Sequence, residues 1–128
     1  MTRSDQAAGE ATGTTLAVVE RFLDAFGRAD VDAIMAEMSD DVLFESTEPP
    51  DGRRHRGQAD VRRVWDELFA TPGARFTTEA VLPHGTRAVA LWRYSWGTDE
   101  ASAGHVRGVD VITVRGGKVV EKLSYVKG

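Results

Sequence analysis

The chain has 128 residues, 41% of them apolar and 28% charged, with a formal net charge of −4. That length suits one domain with a single core, and the acidic balance argues against a nucleic-acid surface. Cysteine is absent, which removes disulfides, thiol nucleophiles and thiolate metal sites. No run approaches the roughly 20 apolar residues of a membrane span, and the first fifteen residues lack the apolar centre of a secretory signal, so a cytoplasmic protein without membrane contact is expected.

Residues 1–13 are small and polar, with Gly9 and Gly13 and no apolar period, and read as a flexible tail before a domain over 14–128. Thr14 or Thr15 can cap a first helix whose inner face is Leu16, Val19, Phe22, Leu23 and Phe26, ended by Gly27. Asp30 caps a shorter second helix burying Val31, Ile34, Met35 and Met38. Residues 42–46 read as a strand, followed by a loop rich in proline, glycine and charge in which residues 53–56 can form a brief strand. A third helix runs from Gln58 to Ala70, with Val61, Val64, Trp65, Leu68 and Phe69 inward and Thr71-Pro72-Gly73 as its stop. Four strands follow, at 75–82, 87–96, 106–114 and 119–126, the last pair joined by Gly116-Gly117. Three helices before an antiparallel meander make an α+β layout, the helices covering one face of a curved sheet.

The chemistry concentrates at Asp110, an acid among Val109, Val111, Ile112 and Val114. Burying a charge among valines is costly without a partner or neutralisation. Asp110 is therefore either a desolvated acid poised for proton chemistry or an ion-paired one, with Arg93 and Arg107 as candidate partners. His105 and Arg107 lie opposite in phase to Asp110, and reach it only if Gly108 marks a bulge; otherwise they face solvent or a subunit contact. Trp92, Tyr94 and Trp96 alternate on one strand and so share a face, as pocket walls, core or a dimer surface. Glu45 alternates away from the side that Ser46 presents. His55, His84 and His105 lack metal-ligand spacing, so no metal site is expected. The basic run Arg53–Arg56 with Arg62 and Arg63 reads as a solvated face.

Several separated motifs carry a resemblance: VVERFLDAF at 18–26, ADVDAI at 29–34, MSDDVLFE at 38–45, Gly57 ahead of the third helix, and Val109-Asp110-Val111 with GKVV at 117–120. In this order they resemble the cone-shaped superfamily of nuclear transport factor 2, ketosteroid isomerase and the SnoaL-like polyketide cyclases. The resemblance implies three helices packed on a strongly curved, mostly antiparallel sheet around an apolar pocket. It places Phe22 where ketosteroid isomerases carry a tyrosine, Ser46 at their base position, and Asp110 where they hold a protonated acid that donates a hydrogen bond. The acids of limonene-epoxide-hydrolase-like cones fall on Ser95 and Ser124, and that of the cyclases close to Ser124.

The resulting expectation is a cofactor-independent isomerase, cyclase or hydrolase moving a proton on a compact apolar molecule. Asp110 and, through a bulge, His105 are its catalytic candidates, and Phe22, Ser46, Trp65, Trp92, Tyr94 and Tyr125 its substrate-binding candidates. The alternatives are a non-catalytic ligand-binding protein and an interaction module of the same fold. The resemblance and the two-sided apolar strands both imply a homodimer through the sheet.

Overall fold

A computed structural model of the chain describes residues 3–128, with side chains from residue 9 onward. Helices Arg3–Gly27 (α1) and Val31–Ala36 (α2) lead into strand Met38–Glu45 (β1). The short strand Arg54–Arg56 (β2) and helix Gln58–Phe69 (α3) follow, and then strands Arg75–His84 (β3), Arg87–Trp96 (β4), Gly104–Arg115 (β5) and Lys118–Val126 (β6). The six strands form one sheet in the order β2-β1-β6-β5-β4-β3. Every pairing is antiparallel except the parallel one of β1 with β6. This is the anticipated α+β cone, with helices on one face of the sheet.

The third helix forms where the apolar period places it, while α2 ends at Ala36, so that Met38, read as part of that helix, opens β1 instead. Asp30 caps α2 by accepting from the Ala33 N–H at 3.0 Å. Gln58, at the start of α3, donates to the Met38 and Ser39 carbonyls at 3.0 and 3.1 Å, tying that helix to β1. Val18, Val19, Phe22 and Phe26 of α1 meet Val61 and Trp65 of α3 and Ala88, Ala90 and Ile112 of the sheet in one core. All five phenylalanines take part, with Phe69 and Phe76 packed at its edge.

The first helix departs from expectation. Residues 1 and 2 of the anticipated tail lie outside the described residues, but from Arg3 the chain is already helical. Two mid-helix glycines cost on the order of 1 kcal/mol each, and the sheet supplies an offset. Thr15 Oγ1 donates to the Gly85 carbonyl at 2.7 Å, and the Gly85 N–H donates to Thr12 Oγ1 at 2.8 Å. The two threonines thus clamp the β3–β4 turn, and Thr15 is a helix-interior residue, only 2% exposed, rather than a cap.

Strand alternation decides which side chains face the helices. On β4 the inward set is Ala88, Ala90 and Trp92, and across it on β5 lie Ile112, Asp110 and Gly108. Gly108 is required there: a Cβ would sit 2.5 Å from the Trp92 ring and 2.2 Å from the Tyr125 carbonyl oxygen. The β4–β5 register runs without interruption from Arg87↔Thr113 to Trp96↔Gly104. The bulge that would have turned His105 and Arg107 toward Asp110 is therefore absent, and both are exposed on the other face. The register slips instead at Glu79 on β3 and opposite Thr113–Val114 on β6. At the first slip Glu79 meets Arg107, whose Nε donates to Oε1 at 2.8 Å and whose Nη2 donates to Oε2. That fork holds the Glu79 carboxyl below its ordinary value.

Two outcomes follow from these contacts. Thr15→Val keeps the shape and removes one of the clamp's two hydrogen bonds, so chemical denaturation should register a loss of about 1 kcal/mol; an unchanged midpoint would mean that this bond contributes nothing. Because the Glu79 carboxyl titrates lower when folded, its pair adds stability above the ordinary carboxylate range, and loses it as pH falls through the folded value. Glu79→Gln should therefore melt below the parent near neutral pH, with the gap closing as the pH drops below about 4.5; a constant gap would contradict the pairing.

Candidate functional site

Three polar side chains meet beneath the helices where the inner faces of β5 and β6 adjoin. Asp110 and Ser124 are directly opposed in the β5–β6 ladder, and the next inward pair is Ile112 with Lys122. Ser124 Oγ donates to Asp110 Oδ1 at 2.6 Å, Lys122 Nζ donates to Ser124 Oγ at 2.9 Å, and Nζ stands 3.2 Å from Asp110 Oδ2. Asp110 is 4%, Lys122 6% and Ser124 7% exposed. Taking two charges from water costs several kcal/mol per ion, returned only by good geometry and further hydrogen bonds. Here each charge has both the other charge and the shared hydroxyl.

The ammonium has a second environment. Its nitrogen lies 4.7 Å from the Phe44 ring centroid, 5.2 Å from Trp65 and 5.5 Å from Phe26. Each distance falls inside the roughly 6 Å range of cation–π attraction. The rings hold one another, Phe44 with Trp65 at 4.6 Å and Phe26 with Trp65 at 4.8 Å in an edge-on arrangement. Lys122 therefore sits in an aromatic box closed on its open side by Asp110 and Ser124.

Beside this pair lies a small unfilled space of about 20 Å³, walled by Leu23, Phe26, Phe76, Thr78 and Trp92 as well as Asp110 and Lys122. It has room for about one water. Leu23 and Thr78 also line an outer groove of about 240 Å³ between α1 and β3, so these two side chains stand between the space and that groove. On the other flank Ser124 forms part of a hollow of about 610 Å³ under the β1–β2 loop and the end of β6. Two indole N–H groups in this interior, Trp65 Nε1 and Trp92 Nε1, are buried without a partner among the described residues. A buried donor left unsatisfied costs about 1–3 kcal/mol and calls for a missing acceptor.

The anticipated site residues separate into those gathered here and those set apart. Asp110 is central, Trp92 walls the space beside it, and Trp65 forms part of the box. Tyr94 stands one layer out, stacked on Phe76 at 4.7 Å. Phe22 is fully buried against Phe26 at 5.2 Å and presents nothing to a cavity. Ser46 accepts from the Arg53 N–H at 3.0 Å and lines the outer hollow, where Glu45 pairs with Arg54 at 3.3 Å. Tyr125, 51% exposed, faces outward, and His105 is exposed on the outer face of β5.

The candidate partners Arg93 and Arg107 also point outward, so Asp110 is paired by neither. Its cation is Lys122, which alternation from Val119 conceals. Val119 is buried, and strict alternation from it turns Lys122 to solvent; the slip at Val120 reverses the phase, so that Lys122 and Ser124 face in. Asp110, required to find a cation, and Ser124, opposite it, were the available signals. Among the described residues no group of three His, Asp or Glu side chains is placed to hold a metal ion. No helix among them is long and apolar enough to cross a membrane.

Comparison with known proteins agrees with this architecture. The family model described as a SnoaL-like domain matches residues 19–122. An NTF2-like protein of unknown function from Mesorhizobium loti is 34% identical, with 91% of this chain and 93% of that one covered and a TM-score of 0.79. A protein from Kribbella flavida, provisionally named a ketosteroid isomerase, is 23% identical over 91% and 80% of the two chains (TM-score 0.77). An LEH-like epoxide hydrolase of Mycobacterium tuberculosis is 17% identical over 91% and 84% (TM-score 0.74). At those identities the last two show the fold alone. No curated protein matches the chain. The matched span and the Mesorhizobium relative together establish that the chain belongs to the SnoaL-like domain family.

Proposed function

We propose that this protein is a cofactor-independent enzyme that moves a proton on a compact, largely apolar organic molecule, in the manner of an isomerase, cyclase or hydrolase, with Asp110 as the acid–base group. The observation that carries this reading is a carboxylate placed in a dry interior, within 3.2 Å of an ammonium and 2.6 Å of a hydroxyl, beside space that the protein leaves unfilled. A second titratable group within hydrogen-bond reach is what general acid–base catalysis requires. Lys122 also alters the role that the resemblance implied. The Ser124 hydroxyl donates to Asp110 Oδ1 and the Lys122 ammonium faces Oδ2, so the carboxyl is placed to accept rather than to donate, and the ammonium is available to a negative charge developing on the substrate. Trp92 shapes the space, and Leu23 and Thr78 stand where a ligand would pass.

A second reading concerns the outer sheet face. Leu82, Val89, Val111 and Leu123 form one row across four strands, and Ala80, Leu91, Val109 and Tyr125 form the next. Arg93 and Arg107 border this apolar band on one side, and Arg87, Thr113 and Glu121 on the other. Leu82 is 60% exposed. An apolar centre with a charged rim suits a protein interface, and we assign it to a second copy of the chain.

The catalytic reading is tested by exchange of the α-hydrogens of butanone in D₂O, followed by NMR. The parent should exceed buffer, and Asp110→Asn should lose about 10²–10⁴-fold; equal rates for the two proteins would overturn it. The pair itself is tested by stability. Asp110→Asn leaves a buried ammonium uncompensated and should cost about 3–5 kcal/mol, whereas Asp110→Asn with Lys122→Met should recover much of that loss; additive losses would contradict the pairing. Leu91→Arg should give a monomer by light scattering where the parent is a dimer, and a monomeric parent would remove the second reading.

A further inference from the structure

Lys122 has so far served only as a partner to Asp110, yet its side chain also lines the unfilled space, with a proton acceptor 3.2 Å from its nitrogen. We infer that Lys122 is a covalent anchor for small aldehydes and ketones, joining their carbonyl carbon as an imine; this rests on the reading of the interior as a small-molecule site. Three independent features point to it. The nitrogen sits in an apolar box with a proton acceptor, Asp110 Oδ2, at 3.2 Å and a hydroxyl relay, Ser124 Oγ, at 2.9 Å. The space beside it, about 20 Å³, accepts a group of one or two heavy atoms, with a longer apolar remainder directed toward Leu23 and Thr78. Trp92, which also walls that space, carries a buried N–H without an acceptor among the described residues.

The chemistry balances within these groups. The Lys122 ammonium passes one proton to Asp110, and the freed lone pair adds to the carbonyl carbon while the C=O electron pair moves to oxygen. A proton from nitrogen neutralises that oxygen to give a carbinolamine. The proton held by Asp110, relayed through Ser124, then departs with the hydroxyl as water, leaving a protonated imine and an ionised Asp110. Overall, ammonium plus carbonyl becomes iminium plus one water, with the charge unchanged. The iminium is again a cation, so Phe26, Phe44 and Trp65 can stabilise it as they do the ammonium. It also acidifies the neighbouring C–H, and the restored Asp110 carboxylate is the base at hand to take that proton. The inferred substrates are thus small enolisable carbonyl compounds with a short apolar body.

The chain offers a clean test because it has only three lysines, Lys118, Lys122 and Lys127. The parent is incubated with limiting propanal and sodium cyanoborohydride, which delivers hydride to an iminium carbon and fixes it as a secondary amine, and the sites are mapped by peptide mass spectrometry. Lys122 should be modified about tenfold faster than Lys118 or Lys127, despite its burial. Adducts confined to Lys118, Lys127 and the amino terminus overturn the proposal. In the same samples the indole N–H resonances of Trp65 and Trp92 report whether propanal reaches the interior. If they shift without an adduct at Lys122, covalent anchoring fails and the pocket reading stands. If they do not shift, both fail.

Discussion

The contact on which the rest of the interior depends is that of the Lys122 ammonium with the Asp110 carboxylate, made where water is excluded. Neither charge is tolerable there alone. The sheet register brings the two to the same side of adjacent strands, Ser124 bridges them, and three aromatic rings from α1, β1 and α3 surround the cation. The elements that pack the core are therefore also those that hold the site. Phe26, Phe44 and Trp65 belong at once to the hydrophobic cluster and to the environment of Nζ.

This double use explains why the interior is tight. The deep pocket that the resemblance implied is here largely filled by phenylalanine and tryptophan side chains, leaving a space on the scale of one water. Such packing supplies the low dielectric in which a close pair of titratable groups exerts its strongest influence. It also limits a ligand of the proposed site to one that is slim at its reacting end. Among the described residues two indole N–H groups, of Trp65 and Trp92, are buried in this interior without an acceptor.

Much of the fold was legible in the amino-acid order because local signals and the global arrangement agree. Asp30 caps its helix as its residue type suggests, β4 spans the residues that alternation assigned to it, and Gly116-Gly117 turns the last hairpin. Asp110 could be singled out as the only carboxylate inside an apolar run. Its partner could not, because a lysine on a strand normally marks the solvent face and only the slip at Val120 turns this one inward. The early start of α1 was hidden for a related reason: Gly9 and Gly13 weaken the local signal, and the compensation comes from Gly85, some seventy residues away. What escaped the sequence was in each case a long-range event that reversed a correct local tendency.

The most direct measurement of the central claim is a heteronuclear NMR comparison of the three lysine side chains. Ring currents from Phe44, Trp65 and Phe26 should move the Lys122 ε-methylene protons upfield of those of Lys118 and Lys127, and its Nζ protons, held by Asp110 and Ser124, should exchange far more slowly with water. Three lysines with coincident shifts and equally fast exchange would contradict the account, because the ammonium would then be in solvent and the carboxylate without its partner.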